Sequence, residues 1–256
     1  MLILIYCCPN IIKFAASYNS FGSSRILAFD LEENWKAQNM ERAIKIINFV
    51  LIVATLLAAS TFYFAEDFYH KMVAEDGPFE NLTALILLVI SVLFAIRFFR
   101  EYKSRNRYWI FLNILIILGA FFGFGEEISW GQRIFSIESG EFFMQNNLQS
   151  ETNLHNLEVG GVKINKLIFS QGMVLVFGFY FVLALILYKK LPFFTKLVDL
   201  FGVQMPRFKH TIIMLVSTGF ILMIPDLRIW ELWETVFVIL LLMVFIDPFN
   251  EKEKVL

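Results

Sequence analysis

Six apolar stretches, most of them near the length of a membrane-crossing helix, recur along the chain at 44–64, 82–99, 109–125, 167–188, 211–224 and 229–246. A bilayer core takes about 20 apolar residues as helix, because only a helix or a closed barrel satisfies its backbone polar groups there. Composition agrees: 58% of the 256 residues are hydrophobic, 30 are Phe, and mean hydropathy is +0.65, more than one soluble core of this length could hide. The expected fold is all-α, a polytopic membrane helix bundle of about six transmembrane helices. The fifth stretch is the shortest and ends at Pro225, so a re-entrant segment or a tucked hairpin with the sixth is its alternative.

Charge asymmetry orients the set. Arg97, Arg100, Lys103, Arg105 and Arg107 face Glu101 alone in one loop, and Lys189, Lys190, Lys196, Arg207 and Lys209 face Asp199 alone in another. Glu66, Asp67, Glu75, Asp76 and Glu80 dominate the first connection. The basic loops and both termini are therefore expected in the cytoplasm of a bacterial cell, with the acidic connection and a long 126–166 loop outside its inner membrane. The net charge of -1 gives no reason to expect nucleic acid. Cys7 and Cys8 are adjacent and cannot form an ordinary disulfide.

Residues 1–39 read differently. "MLILIYCC" is too short to span and has no basic residue ahead of it, so it fails as a signal peptide. The expectation is an N-terminal arm over 1–39, loosely ordered or lying upstream of a translation start at Met40, followed by one transmembrane domain over 40–256.

The third span ends in "GFGEEISWGQR", residues 123–133, which puts two glutamates at its outer mouth. "PDLRIWELWE", 225–234, opens the last span at the same level, and the loop "NNLQSETNLHNLE", 146–158, carries His155. Glu151, His155 and Glu158 stand at i, i+4 and i+7, so a short helix there would present all three on one face. Gly119, Gly123, Glu127 and Gly131 repeat every four residues, which places Glu127 on a small-residue stripe facing another helix, with Glu126 about 100° round. Glu234 lies about a turn and a half below the mouth, and a carboxylate that deep needs a partner or water.

These residues suggest an interfacial pocket with Glu127, His155 and Glu234 as catalytic groups. Glu126, Trp130, Gln132, Arg133, Asn156 and Asp226 would contact substrate. Carboxylates and imidazole at Glu127, His155, Glu231 and Glu234 suit a divalent metal such as zinc or manganese, although one histidine is few for zinc, or serve as general base and acid without one. An arginine suits phosphate, which fits a lipid or lipid-linked substrate arriving from the bilayer. The plainer alternative pairs Arg133 with Glu126, makes Trp130, Trp230 and Trp233 interfacial anchors, and leaves the loop amides to cap turns. His70 and His210 are expected to be solvated, Asn113 to bridge to a neighbouring helix, and the run 97–109 to meet anionic headgroups.

"GEEISWGQR" followed by "NLHN" at 153–156 resembles a pattern shared by bacterial multi-span membrane proteins with no assigned activity. The resemblance covers about 35 residues and implies Glu126, Glu127, Trp130, Gln132, His155 and Asn156 as site residues without supplying a reaction. Neither a GxSG serine nor an HExxH pair occurs. The expected function is hydrolysis or group transfer on a lipid or lipid-linked substrate. A proton- or cation-coupled transporter and a non-catalytic partner in envelope assembly are the alternatives.

Overall fold

The computed structural model describes residues 23–154, 157–159, 162–163 and 172–255. It is helical almost throughout: α1 Ser23–Ser60, α2 Glu66–Met72, α3 Pro78–Glu101, α4 Arg107–Glu127, α5 Gln132–Phe135 and α6 Glu141–Asn146 come first. After them come α7 Met173–Lys190, α8 Pro192–Phe201, α9 Phe208–Ile221 and α10 Ile229–Ile246. Two two-residue strands, β1 Glu158–Val159 and β2 Val162–Lys163, pair antiparallel with Glu158 opposite Lys163. Contacts divide the chain into Met1–Ile46, in which α1 begins, and Ile47–Leu256, the unit described from here on.

Among the described residues five helical segments are long and apolar enough to cross a membrane: Lys45–Tyr63, Pro78–Ser104, Arg107–Glu127, Met173–Lys190 and Ile229–Ile246. The expected fifth stretch forms α9, whose 14 residues reach about 21 Å at 1.5 Å per residue, short of a core of about 30 Å. Pro78 takes the first position of α3 as its fixed φ favours. Gly77 is the N-cap, and Glu80 reaches back to the Asp76 backbone N–H.

Burial separates centre from rim. Of α10, 78% is buried, against 17% of α4, so α10 is the core helix and α4 turns most of its surface outward. α10 packs against α3 and α9. Phe245 meets Phe94 edge-on at 4.8 Å, and Phe237 meets Phe181 of α7 at 5.6 Å. The Thr83 and Thr235 hydroxyls join α3 to α10 at 3.0 Å, and Thr211 of α9 donates to the Phe181 carbonyl of α7 at 2.6 Å. Phe111, Leu115, Leu118 and Phe122 form an exposed face of α4, the arrangement lipid contact requires.

At the basic end the C-terminal segment folds back between the helices. Arg97 is fully buried, and its Nη2 donates to Glu253 at 2.6 Å; Arg105 reaches the same carboxylate at 3.1 Å and Glu101 at 2.6 Å. Both guanidinium groups lie 5.2 Å from the centre of the Trp109 ring. Gly202, at φ 69°, brings its backbone against that indole. The expectation that the whole run 97–109 meets headgroups is therefore corrected for Arg97 and Arg105, whose charges are taken up by Glu253, distant in sequence, and by Glu101, one turn away. His210 is likewise buried, not solvated, and its Nδ1 accepts from the Arg207 N–H at 3.2 Å. Asn113 does not bridge helices: its amide donates to the Trp109 carbonyl one turn back at 2.8 Å.

Candidate functional site

The motif at the end of α4 builds a tight reversal. Ser129, Trp130 and Gly131 all have positive φ, at 46°, 54° and 74°, a conformation that costs glycine little and other residues of order 1–3 kcal/mol each. The reversal folds Trp130 back over its own helix. A β-carbon on Gly125 would stand 2.8 Å from the indole, so only glycine leaves room for the ring. The indole N–H then donates to Glu126 Oε1 at 2.9 Å.

The rest of the motif grips the loop. Glu126, buried, accepts the Leu154 backbone N–H at 2.5 Å through its other oxygen. The Ser129 hydroxyl donates to Glu151 at 2.5 Å and accepts from the Asn153 amide at 2.8 Å. Gln132 accepts the Thr152 N–H at 2.8 Å and donates to the Ser139 hydroxyl at 2.6 Å. Of the residues expected against substrate, Glu126 and Gln132 each accept a backbone N–H from residues 151–154, and Trp130 braces Glu126.

These bonds also explain a correction. The expected short helix over 151–158 is not formed: residues 151–154 are irregular, Leu157 bridges to Asn147, and Glu158 lies in β1. Asn147 donates to the Asn153 carbonyl and side chain and accepts from the Gln149 N–H, giving the backbone partners that compete with a helix. Glu151 and Glu158 therefore do not share a helical face. His155, Asn156 and the Arg133 side chain lie outside the described residues.

Carboxylates on three helices lie within electrostatic reach of one another. Glu127 of α4 lies near enough to Glu234 and Glu231 of α10 and to Glu80 of α3 for their charges to act on it, and Glu80 in turn feels Glu231, Glu75 and Glu151. Glu234 is buried, while Glu80, Glu127 and Glu231 are half-buried. None of the four has an ion pair with Lys, Arg or His among the described residues; Arg228 acts on Glu231 only through its field. Glu80 belongs to this group, although the sequence placed it merely in an acidic loop. The signal was Pro78, which starts α3 and so sets Glu80 level with the mouths of α4 and α10. The small-residue stripe divides: Gly123 sits against Leu87 of α3, whereas a β-carbon on Gly119 would meet nothing within 4 Å.

Asp226 has its Oδ2 3.6 Å from His70 Nδ1, so His70 is a partner of an acid and not merely solvated. Tyr69 beside it is fully buried, and burial, then the Asp226 charge, hold its phenol above the usual range. For the expected metal, no grouping of three or more His, Cys, Asp or Glu side chains suited to hold a metal ion occurs among the described residues. Compared with known families, curated proteins and solved structures, the chain matches none.

Proposed function

We propose that the protein is a six-span inner-membrane enzyme that carries out hydrolysis or group transfer on a lipid or lipid-linked substrate at the carboxylate end of its bundle. In this reading both termini are cytoplasmic and the carboxylate end faces outward, as the loop charges favour. Glu127 or Glu234 serves as general base, His155 as the acid or base opposite it, and Arg133 as the anion clamp. The single observation that carries the reading is that Glu127 and Glu234, 107 positions apart, lie within reach of each other's charge, with no basic side chain paired to either among the described residues. Acids in a membrane bundle are costly, and most that occur mark functional sites.

The transporter alternative needs a polar route from these acids to the other end, but what lies beneath them is a crevice lined almost wholly by apolar side chains. The deciding experiment reconstitutes the protein in vesicles of bacterial lipid and follows headgroup or acyl release by mass spectrometry. Glu127→Gln and Glu234→Gln should each lower turnover at least a hundredfold, and His155→Ala likewise. Undiminished turnover in all three overturns the reading.

A further inference from the structure

A crevice of about 450 Å³ opens between α3, α4, α7 and α10, lined by residues such as Leu87, Ile116, Ala120, Val176, Leu241 and Phe245. Every lining residue from these four helices belongs to a segment long and apolar enough to cross a membrane, where lipid replaces water as solvent. Its two polar residues are bonded elsewhere: the Tyr180 hydroxyl donates to the Gln204 carbonyl at 2.5 Å, and the Gln204 amide donates to the Glu253 carbonyl at 3.0 Å. Hydrocarbon is the filling that matches such a wall.

Size and access narrow the occupant further. A spanning helix, about 30 Å long and 10–12 Å wide, fills roughly 2,400–3,400 Å³, several times the crevice, so none can be enclosed there. A single extended chain fits. Gly119 leaves the wall open at the exposed surface of α4, since a β-carbon there meets nothing within 4 Å.

The crevice and the carboxylates are in register. Leu87 is seven residues beyond Glu80, Ala120 seven before Glu127, and Leu241 seven beyond Glu234. Seven residues make almost two full turns, so on three separate helices a lining residue stands on the same face as a carboxylate and about 10.5 Å deeper. An apolar slot directly beneath a polar cluster matches the two parts of an amphiphile. Each of these side chains presents acceptor oxygens, so a head that brings several donors can meet them together.

We propose that the crevice binds one acyl chain of a phospholipid whose ammonium-bearing head rests at Glu80, Glu127 and Glu234. The head assignment rests on the reading above of these acids as the reaction site; the chain slot stands on the crevice itself.

The full chain is reconstituted in vesicles of phosphatidylethanolamine and phosphatidylglycerol containing a trace of phosphatidylethanolamine with a photoactivatable group near its chain end. Irradiation and peptide mapping should label Ile116, Ala120 or Leu241 ahead of the exposed Leu115 and Leu118. Gly119→Phe, which fills the crevice from its open wall, should lower that labelling about tenfold. Gly219→Phe on α9, at an exposed glycine equally free of neighbours, should leave it unchanged. Equal labelling of both faces of α4 in the wild type overturns the slot even if Gly119→Phe does not fold, and unchanged labelling in a folded Gly119→Phe does so too. The same probe with a phosphatidylglycerol head should label several times less, and equal labelling overturns the head assignment. If Gly119→Phe keeps the label while Glu127→Gln abolishes turnover, the slot fails and the site reading survives. If Gly119→Phe loses the label while Glu127→Gln and Glu234→Gln turn over normally, the slot survives and the site reading fails.

Discussion

Trp130 and Gly125 form one unit: the indole lies where a side chain on Gly125 would have to be, 2.8 Å from its β-carbon position, and from there donates to Glu126. Gly125→Ala therefore forces the ring off the helix and breaks the bond that orients Glu126. Overpacking of this kind costs about 1–3 kcal/mol. The expected outcome is a lower unfolding temperature in detergent together with faster proteolysis of the 136–163 loop, since the displaced ring releases the carboxylate that holds Leu154. A variant as stable and as protease-resistant as the wild type would contradict this account.

Glu126→Gln tests the other side of the same clasp. Its two carboxylate oxygens accept from the Trp130 indole and the Leu154 backbone, and an amide offers only one acceptor, turning a donor toward the second N–H. A buried donor left unsatisfied costs about 1–3 kcal/mol. Hydrogen exchange at Leu154 should accelerate while exchange in the middle of α10 stays slow.

Glu253→Ala should be among the most destabilising single changes in the chain. Glu253 accepts from Arg97, Arg105 and the Trp109 indole, and Arg97 is fully buried. Removing one partner of a buried pair costs about 3–5 kcal/mol, and Arg97 would keep only the looser Glu101 carboxylate at 3.5 Å. Pairing the change with Arg97→Met should recover much of the loss, a coupling readable in a double-mutant cycle of unfolding temperatures.

For Glu127→Gln and Glu234→Gln stability and function should move apart. Each substitution keeps the shape of the side chain and removes one of several acids that act on one another. The unfolding temperature is expected to equal or exceed that of the wild type while turnover collapses. A fall in stability with proportional loss of protein would assign these acids a structural part instead.

Gly202→Ala probes how the basic end closes. The residue has φ 69°, and a β-carbon there collides with Trp109 and approaches Glu253 Oε2 to 2.9 Å. Strain and collision together should destabilise the protein by more than the roughly 1 kcal/mol of an ordinary glycine substitution, and the loss should show as a blue or red shift of tryptophan emission as Trp109 is displaced.

The sequence alone determined that this chain is a bundle of apolar helices, because runs near 20 apolar residues have few other fates, and it located the glutamates at the mouths of α4 and α10 from helix length and proline position. Periodicity could not say where the polar loop bonds would go. The spacing of Glu151, His155 and Glu158 implied a helix, but Asn147, Asn153 and Glu126 offer the loop backbone other partners, and those contacts lie up to 28 residues apart. Likewise no local pattern ties Arg97 to Glu253 across 156 residues or brings Glu80 within reach of the Glu231 charge. Which segments are apolar enough to cross a membrane follows from composition, since transfer free energy adds up along a segment; which charges act on one another, and which crevice opens near them, depends on how helices distant in sequence pack, and only the tertiary structure decides that.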